Sequence, residues 1–243
     1  MHDPRLDTLA DLLIKHSTRL EQGEKILIET FDIPEDMVIA LIRAARKVGG
    51  VPLVSCKQNR IQRELIQAGQ EEAMQTIGEC ETYRMERVQA YIGLRGSRNV
   101  AELSDVSATA MELYERHWVQ PVHFQVRVPK TKWVVLRWPS ASMAQQAKMS
   151  TDAFEDFYFN VCTLNYSKMA EAQKPLAALL EQTDKVHITG PGTDLRFSIK
   201  NIPAIPCSGE HNIPDGECFT APVRDSVAGT IRFNTPTLYR GTP

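Results

Sequence analysis

The chain has no paired-cysteine spacing and no long apolar run. Its five cysteines, Cys56, Cys80, Cys162, Cys207 and Cys218, are odd in number and none forms a CxxC pair. That pattern builds no disulfide framework and suits reduced thiols, several of them buried as small apolar groups. No apolar run approaches the roughly 18 residues that a membrane-spanning helix needs. The N-terminal stretch "MHDPRLDTLADLLIKHSTRL" is amphipathic and lacks the apolar centre and small-residue cleavage site of a signal peptide. A cytoplasmic protein without a membrane partner is expected. Charge of one sign is also lacking: the net charge is −2, which gives no electrostatic ground for a nucleic-acid partner. GxSxG, HExxH, HxxxH, GxGxxG and Walker A patterns are all missing, and there is neither an internal repeat nor a low-complexity tract.

What is present is ordinary globular material, 42% hydrophobic and 24% charged over 243 residues, enough for a sizeable core. From residue 1 to about 140, short β-branched runs at 24–31, 51–57, 89–97 and 132–139 alternate with helical patterns. The helix "PEDMVIALIRAARKVGG" has Pro34 and two acidic residues at its start and Gly49–Gly50 at its end. The stretch 105–127 reads as a long helix interrupted near Pro121. Nearly continuous apolar strands separated by helices predict a mainly parallel sheet covered on both faces. The fold class is therefore α/β, with a Rossmann-like domain over 1–140.

Residues 141–183 hold no strand candidate and read as a helical connecting layer, with Ser150, Thr151 and Asp152 as candidates to cap "AFEDFYFNVC". From 184 to 243 the pattern turns to strands: "KVHITG", "TDLRFSIK" and "VAGTIRFN", the first two joined by a "GPG" hairpin signal. This is the start of a β-rich domain, and three strands alone do not close a core.

Several residues invite a chemical reading, each with a plainer one beside it. "GLRGSRN" (93–99) follows a strand where phosphate loops occur, yet matches no phosphate-binding pattern; a tight strand-to-helix turn is the better account. Arg60 and Arg63 read as solvated charges, and His16, His117 and His123 as surface or partly buried histidines on separate helices. Asp194 reads as a turn aspartate capping nearby backbone N–H groups. Cys207, His211 and Cys218 assemble a zinc site only on paper, since their spacing fits no zinc pattern. Glu217, after a Pro-Asp-Gly turn, is by spacing alone a surface residue.

Four stretches carry more. They are "WPSASMAQQAKMSTDAFEDFYF" (138–159), "NYSKM" (165–169), "DKVHITGPGTDLRFSIK" (184–200) and "NIPDGECFTAPVRDSVAGTIRFNTP" (212–236). Together, and in this order, they resemble the thermophilic-type metallo-aminopeptidases of the aminopeptidase T and S kind, also known as leucyl aminopeptidases. The resemblance implies an exopeptidase that removes N-terminal residues from peptides, with an N-terminal α/β domain and a C-terminal catalytic domain holding two divalent metal ions, zinc or cobalt. It implies a homodimer enclosing a cavity for small peptides. In "GECFTAP" it makes Glu217 a metal ligand. Cys218 departs from the apolar residue usual at its position. The remaining ligands and the catalytic residues are expected C-terminal to residue 243, so this chain is expected to be truncated within the catalytic domain, to bind neither metal fully and to be inactive alone. A rival expectation is a non-catalytic binding or dimerisation module that retains the family's first half. A third is a small-molecule-binding Rossmann-like domain using "GLRGSRN".

Overall fold

The computed structural model describes residues 3–234. The chain divides into two units: Met1–Tyr166 with Gly209–Asp215, and Ser167–Ser208 with Gly216–Pro243. Residues 235 and 236 of the last motif, and the "TLYRGTP" that follows, lie outside the described residues.

In the first unit, α1 (Pro4–Leu12) continues as a π-helical turn over Leu13–Ser17 and leads to β1 (Lys25–Phe31). Then come α2 (Glu35–Lys47), β2 (Val51–Lys57), α3 (Asn59–Gln67), α4 (Glu71–Met85) and β3 (Ala90–Arg95). After α5 (Ala108–Tyr114), a π-helix over Glu115–Arg127 and the short α6 (Val128–Lys130), the chain enters β4 (Lys132–Arg137). The helices α7 (Ala141–Gln146) and α8 (Thr151–Cys162) complete the unit up to α9 (Tyr166–Gln182), most of which belongs to the second.

Local chemistry sets these boundaries. Asp3 accepts the Arg5 N–H at 2.9 Å and caps α1, whose first residue is Pro4. In α2, Glu35 and Asp36 sit in the first turn and Arg46 and Lys47 in the last, each sign opposed to the helix dipole. Of the three capping candidates it is Ser150 whose Oγ accepts the Ala153 N–H and caps α8, Thr151 and Asp152 lying inside the helix.

The expected mainly parallel sheet is present. Its order is β2-β1-β3-β4-β8, where β8 is the two-residue strand Asn212–Ile213. Every neighbouring pair is parallel. The central strands β1 and β3 are almost wholly buried, which is why they read as unbroken apolar runs. One face of the sheet meets α4 and the π-helix through Leu27, Tyr91, Met74, Met85, Trp118, Val122 and Val126. The fifth strand has no signal in the sequence: β8 lies within the stretch expected to begin a separate β domain, yet pairs with Val135 and Leu136 of β4.

One expectation is corrected. The helix over 115–127 is not interrupted at Pro121 but runs through it as a π-helix. In an α-helix the ring of Pro121 clashes with the carbonyl of His117 and leaves that carbonyl without its donor. Wider turns, with i→i+5 bonding, accommodate both.

In the second unit, β5 (Lys185–Gly190) and β6 (Thr193–Ser198) form the expected hairpin around Pro191–Gly192. β10 (Ala228–Thr230) joins β6 antiparallel to make a three-stranded sheet of order β10-β6-β5. The strand expected over "VAGTIRFN" is thus shorter than its apolar pattern. A two-stranded ladder joins β7 (Ile205–Pro206) to β9 (Cys218–Phe219). Among the described residues no helix is long and apolar enough to cross a membrane.

Candidate functional site

Glu217 lies immediately before β9, in the second unit. Its main chain is held from two sides: its carbonyl accepts the Cys207 N–H at 2.8 Å and the Gln173 Nε2 at 3.0 Å. The same Gln173 amide donates to the Cys207 carbonyl at 2.9 Å. Gln173 stands on α9 and is 8% exposed, so one buried amide ties the two segments that β7 and β9 zip together. Its role was missed in the sequence, where it is one glutamine among many in a helical stretch. The Glu217 side chain is exposed.

Among the described residues, no three or more of His, Cys, Asp and Glu gather as a metal ion requires. One exposed carboxylate does not fit a two-metal centre. Pro206 and Cys218 are partners in the β7–β9 register, whereas His211 belongs to the first unit and lies against Trp133 with ring centroids 4.5 Å apart. Asp194 corrects its expectation: its carboxylate meets His187 Nε2 at 2.8 Å and Arg196 Nη1 at 2.9 Å, so it serves side chains of the hairpin rather than backbone N–H groups.

The turn 93–99 is as tight as its glycines suggest. The Gly96 N–H donates to the Phe31 carbonyl at 2.8 Å, and a Cβ on Gly96 would stand 2.6 Å from the Asp32 carbonyl oxygen. Gly93 gives its space to Tyr91: a Cβ there would lie 2.9 Å from the Tyr91 ring.

That displaced ring belongs to the most unusual part of the first unit. The sheet register sets Phe31, Lys57 and Arg95 abreast at the carboxyl ends of β1, β2 and β3. Two residues back on β1 is Glu29, 2% exposed. Its Oε1 accepts Lys57 Nζ at 2.7 Å; its Oε2 accepts the Tyr91 hydroxyl at 2.6 Å and Arg95 Nη2 at 2.9 Å. Burial alone drives a carboxyl pKa up, but Arg95 and Lys57 overcome it and hold Glu29 well below the usual carboxylate range. Burial pushes the Tyr91 and Tyr114 hydroxyls up, the latter to about 12, so both stay protonated; Tyr91 donates to Glu29 and Tyr114 accepts from Gln62 Nε2 at 2.7 Å. From the π-helix come Trp118, His123 and Arg127. Arg127 Nε donates to His123 Nδ1 at 3.1 Å, and its guanidinium lies 4.3 Å from the Trp133 ring centroid. None of this cluster was legible as a site, although one signal was available: a glutamate inside the otherwise apolar run "KILIETF".

His123 makes stability depend on pH. Burial is the main reason its pKa falls to about 4; Glu29 pulls it up, and Arg95, Arg127 and Lys57 press it down. An unfolded imidazole titrates near 6.5. Between about 6.5 and about 4 the unfolded chain binds a proton that the folded chain does not, so stability falls as pH drops through that window. The loss expected is about 2–3 kcal/mol. Urea midpoints measured from pH 7 to pH 4 should show it, and His123→Phe should remove it. An unchanged pH profile in the variant would sink the assignment.

The fold has a known counterpart. The structure matches wild-type AmpT from Thermus thermophilus with a TM-score of 0.74 at 20% identity, covering 93% of this chain and 63% of that one. A match to 2,5-dihydroxypyridine dioxygenase from Pseudomonas putida has a TM-score of 0.49 at 13% identity, covering 93% of this chain and 58% of that one. No curated protein matches. The chain therefore spans less than two thirds of the length of AmpT. The profile of the family described as thermophilic metalloprotease (M29) matches residues 2–243, essentially end to end. With the "GECFTAP" and "NYSKM" motifs inside that match, the chain belongs to the M29 family of thermophilic metalloproteases.

Proposed function

We propose that this chain is part of a cytoplasmic, homodimeric metal-dependent aminopeptidase that removes N-terminal residues from peptides at a centre of two zinc or cobalt ions. The observation that carries the reading is the M29 match over residues 2–243; the fold likeness to AmpT supports it. Residues 1–140 form the α/β scaffold, 141–183 the helical layer, and the catalytic domain begins near residue 184. Glu217 is one metal ligand, held in place through its backbone by Gln173 and Cys207. The other ligands and the catalytic groups come from beyond the residues described, and the 243-residue polypeptide alone is inactive.

The test is hydrolysis of leucine p-nitroanilide by this polypeptide with added zinc or cobalt, with metal content determined on the same sample. No turnover and less than one tightly held metal per chain are expected. Residual cobalt binding, followed by absorbance, should weaken about tenfold in Glu217→Ala, as loss of an anionic ligand does. Turnover with two metals per chain overturns the proposed inactivity. Unchanged cobalt affinity in the variant overturns the ligand role of Glu217. Turnover that survives a chelator overturns the metallopeptidase reading itself.

A further inference from the structure

A cavity of about 420 Å³ opens in the first unit at the carboxyl ends of β1, β2 and β3. That is within the ordinary range for small-molecule sites. It also stands where open α/β sheets bind ligands: the order β2-β1-β3-β4 reverses direction between β1 and β3, and the cavity sits at their carboxyl ends. None of its residues is used by the proposed peptidase chemistry, so the inference stands apart from that reading.

Charge decides what the cavity accepts. Its lining carries one anion, Glu29, and three cations, Lys57, Arg95 and Arg127, so the excess is two positive charges. Glu81 also touches Lys57, at 3.1 Å, but Arg84 pairs with it and the sum does not change. His123 is neutral near pH 7, as argued above. Both oxygens of Glu29 are already occupied by Lys57, Tyr91 and Arg95. Arg127 has no carboxylate partner among the described residues, and the Nη1 atoms of both Arg95 and Arg127 lack a hydrogen-bond acceptor. Uncompensated charge held away from water is costly, and an anion relieves it.

Shape decides the rest. Phe31, Trp118, Val119, Phe124 and Val135 supply apolar walls beside the cations. Arg95 lies over Phe31 at 4.4 Å and Lys57 over Trp118 at 4.9 Å, so the cationic groups are held against aromatic faces. The Arg95 side chain as a whole is 34% exposed, while its Nη1 is closed off from solvent. A guanidinium fork matches a carboxylate's two oxygens.

We propose that this cavity binds a small organic monocarboxylate with an apolar body, its carboxylate toward Arg95 and Arg127 and its apolar part against Phe31, Trp118 and Val135. The experiment is thermal-shift and calorimetric titration of the intact chain with phenylacetate. Phenylacetamide serves as the neutral twin and inorganic phosphate as an anion without an apolar body. Phenylacetate should raise the unfolding temperature in a saturable way, and bind at least tenfold more tightly than either control. Arg127→Met should weaken phenylacetate binding about tenfold or more, by removing a half-buried cation that has no carboxylate partner among the described residues. Circular dichroism establishes that the variant is folded. Equal binding of phenylacetate and phenylacetamide overturns the proposal, as does no binding of phenylacetate at 10 mM, roughly ten times a weak-site dissociation constant of about 1 mM. Phosphate binding as tightly as phenylacetate overturns the organic part. These arms need only the wild-type chain.

Discussion

Glu29→Ala should destabilise the first unit by about 3–5 kcal/mol, the cost of removing one partner from a buried ion pair. The carboxylate is the common acceptor for Lys57, Arg95 and the Tyr91 hydroxyl. Without it, three donors lose their shared acceptor, Lys57 keeping only Glu81 at 3.1 Å, and the positive excess in the cluster rises by one. Most of the cost is this uncompensated charge; the lost attraction is the smaller part, since a buried pair yields little net stability over an apolar replacement. Glu29→Gln separates the two, because it keeps the shape and loses the charge. The effect should be insensitive to mild acid. The folded-state pKa of Glu29 is depressed, so its contribution is present above the unfolded value near 4.3 and is lost only as pH falls through the much lower folded value. Urea denaturation of both variants at pH 7 and pH 5 is the measurement. A loss under about 1 kcal/mol for Glu29→Ala would mean that water already neutralises the cluster, which would also weaken the case for an anion in the cavity.

How much of this was readable beforehand varies by element, for physical reasons. β1 and β3 were legible because both faces are buried and the strands must be apolar throughout. β8 was not: two residues have no periodicity, and its place comes from backbone pairing, including the Val135 N–H to the His211 carbonyl at 2.9 Å. The π-helix was illegible because α- and π-helical turns bury similar apolar spacings, and Pro121 argues for a break rather than for wider turns. Glu217 is a surface glutamate by every local rule; only the resemblance through "GECFTAP" singles it out. The charged cluster has the opposite character. Glu29 gives a faint signal inside its strand, but Lys57 and Arg95 are unremarkable in sequence, and parallel register is what places them abreast of Phe31, two residues beyond Glu29.

Gly78→Ala should be among the most damaging single-methyl additions to this chain. A Cβ on Gly78 would stand 1.8 Å from the carbonyl oxygen of His117 and 3.3 Å from the Trp118 Cα. The first is backbone, so no rotamer change relieves it; α4 must move away from the π-helix. Two effects oppose each other. Alanine is the better helix former by about 1 kcal/mol, and forced overpacking costs about 1–3 kcal/mol, more when backbone has to shift. The clash wins, with a net loss of about 2 kcal/mol or more. Gly190→Ala, where nothing lies within 4 Å, should stay within about 0.5 kcal/mol. Urea midpoints of the two variants decide the matter, and a stabilised Gly78→Ala would mean that α4 and the π-helix do not cross this closely. The crossing also bears on the cavity. His117 precedes Trp118 on the same π-helix, and Trp118, His123 and Arg127 all line the cavity. A helix displaced at Gly78 therefore carries Arg127 with it, and phenylacetate should bind more weakly to a folded Gly78→Ala variant although the substituted residue does not line the cavity.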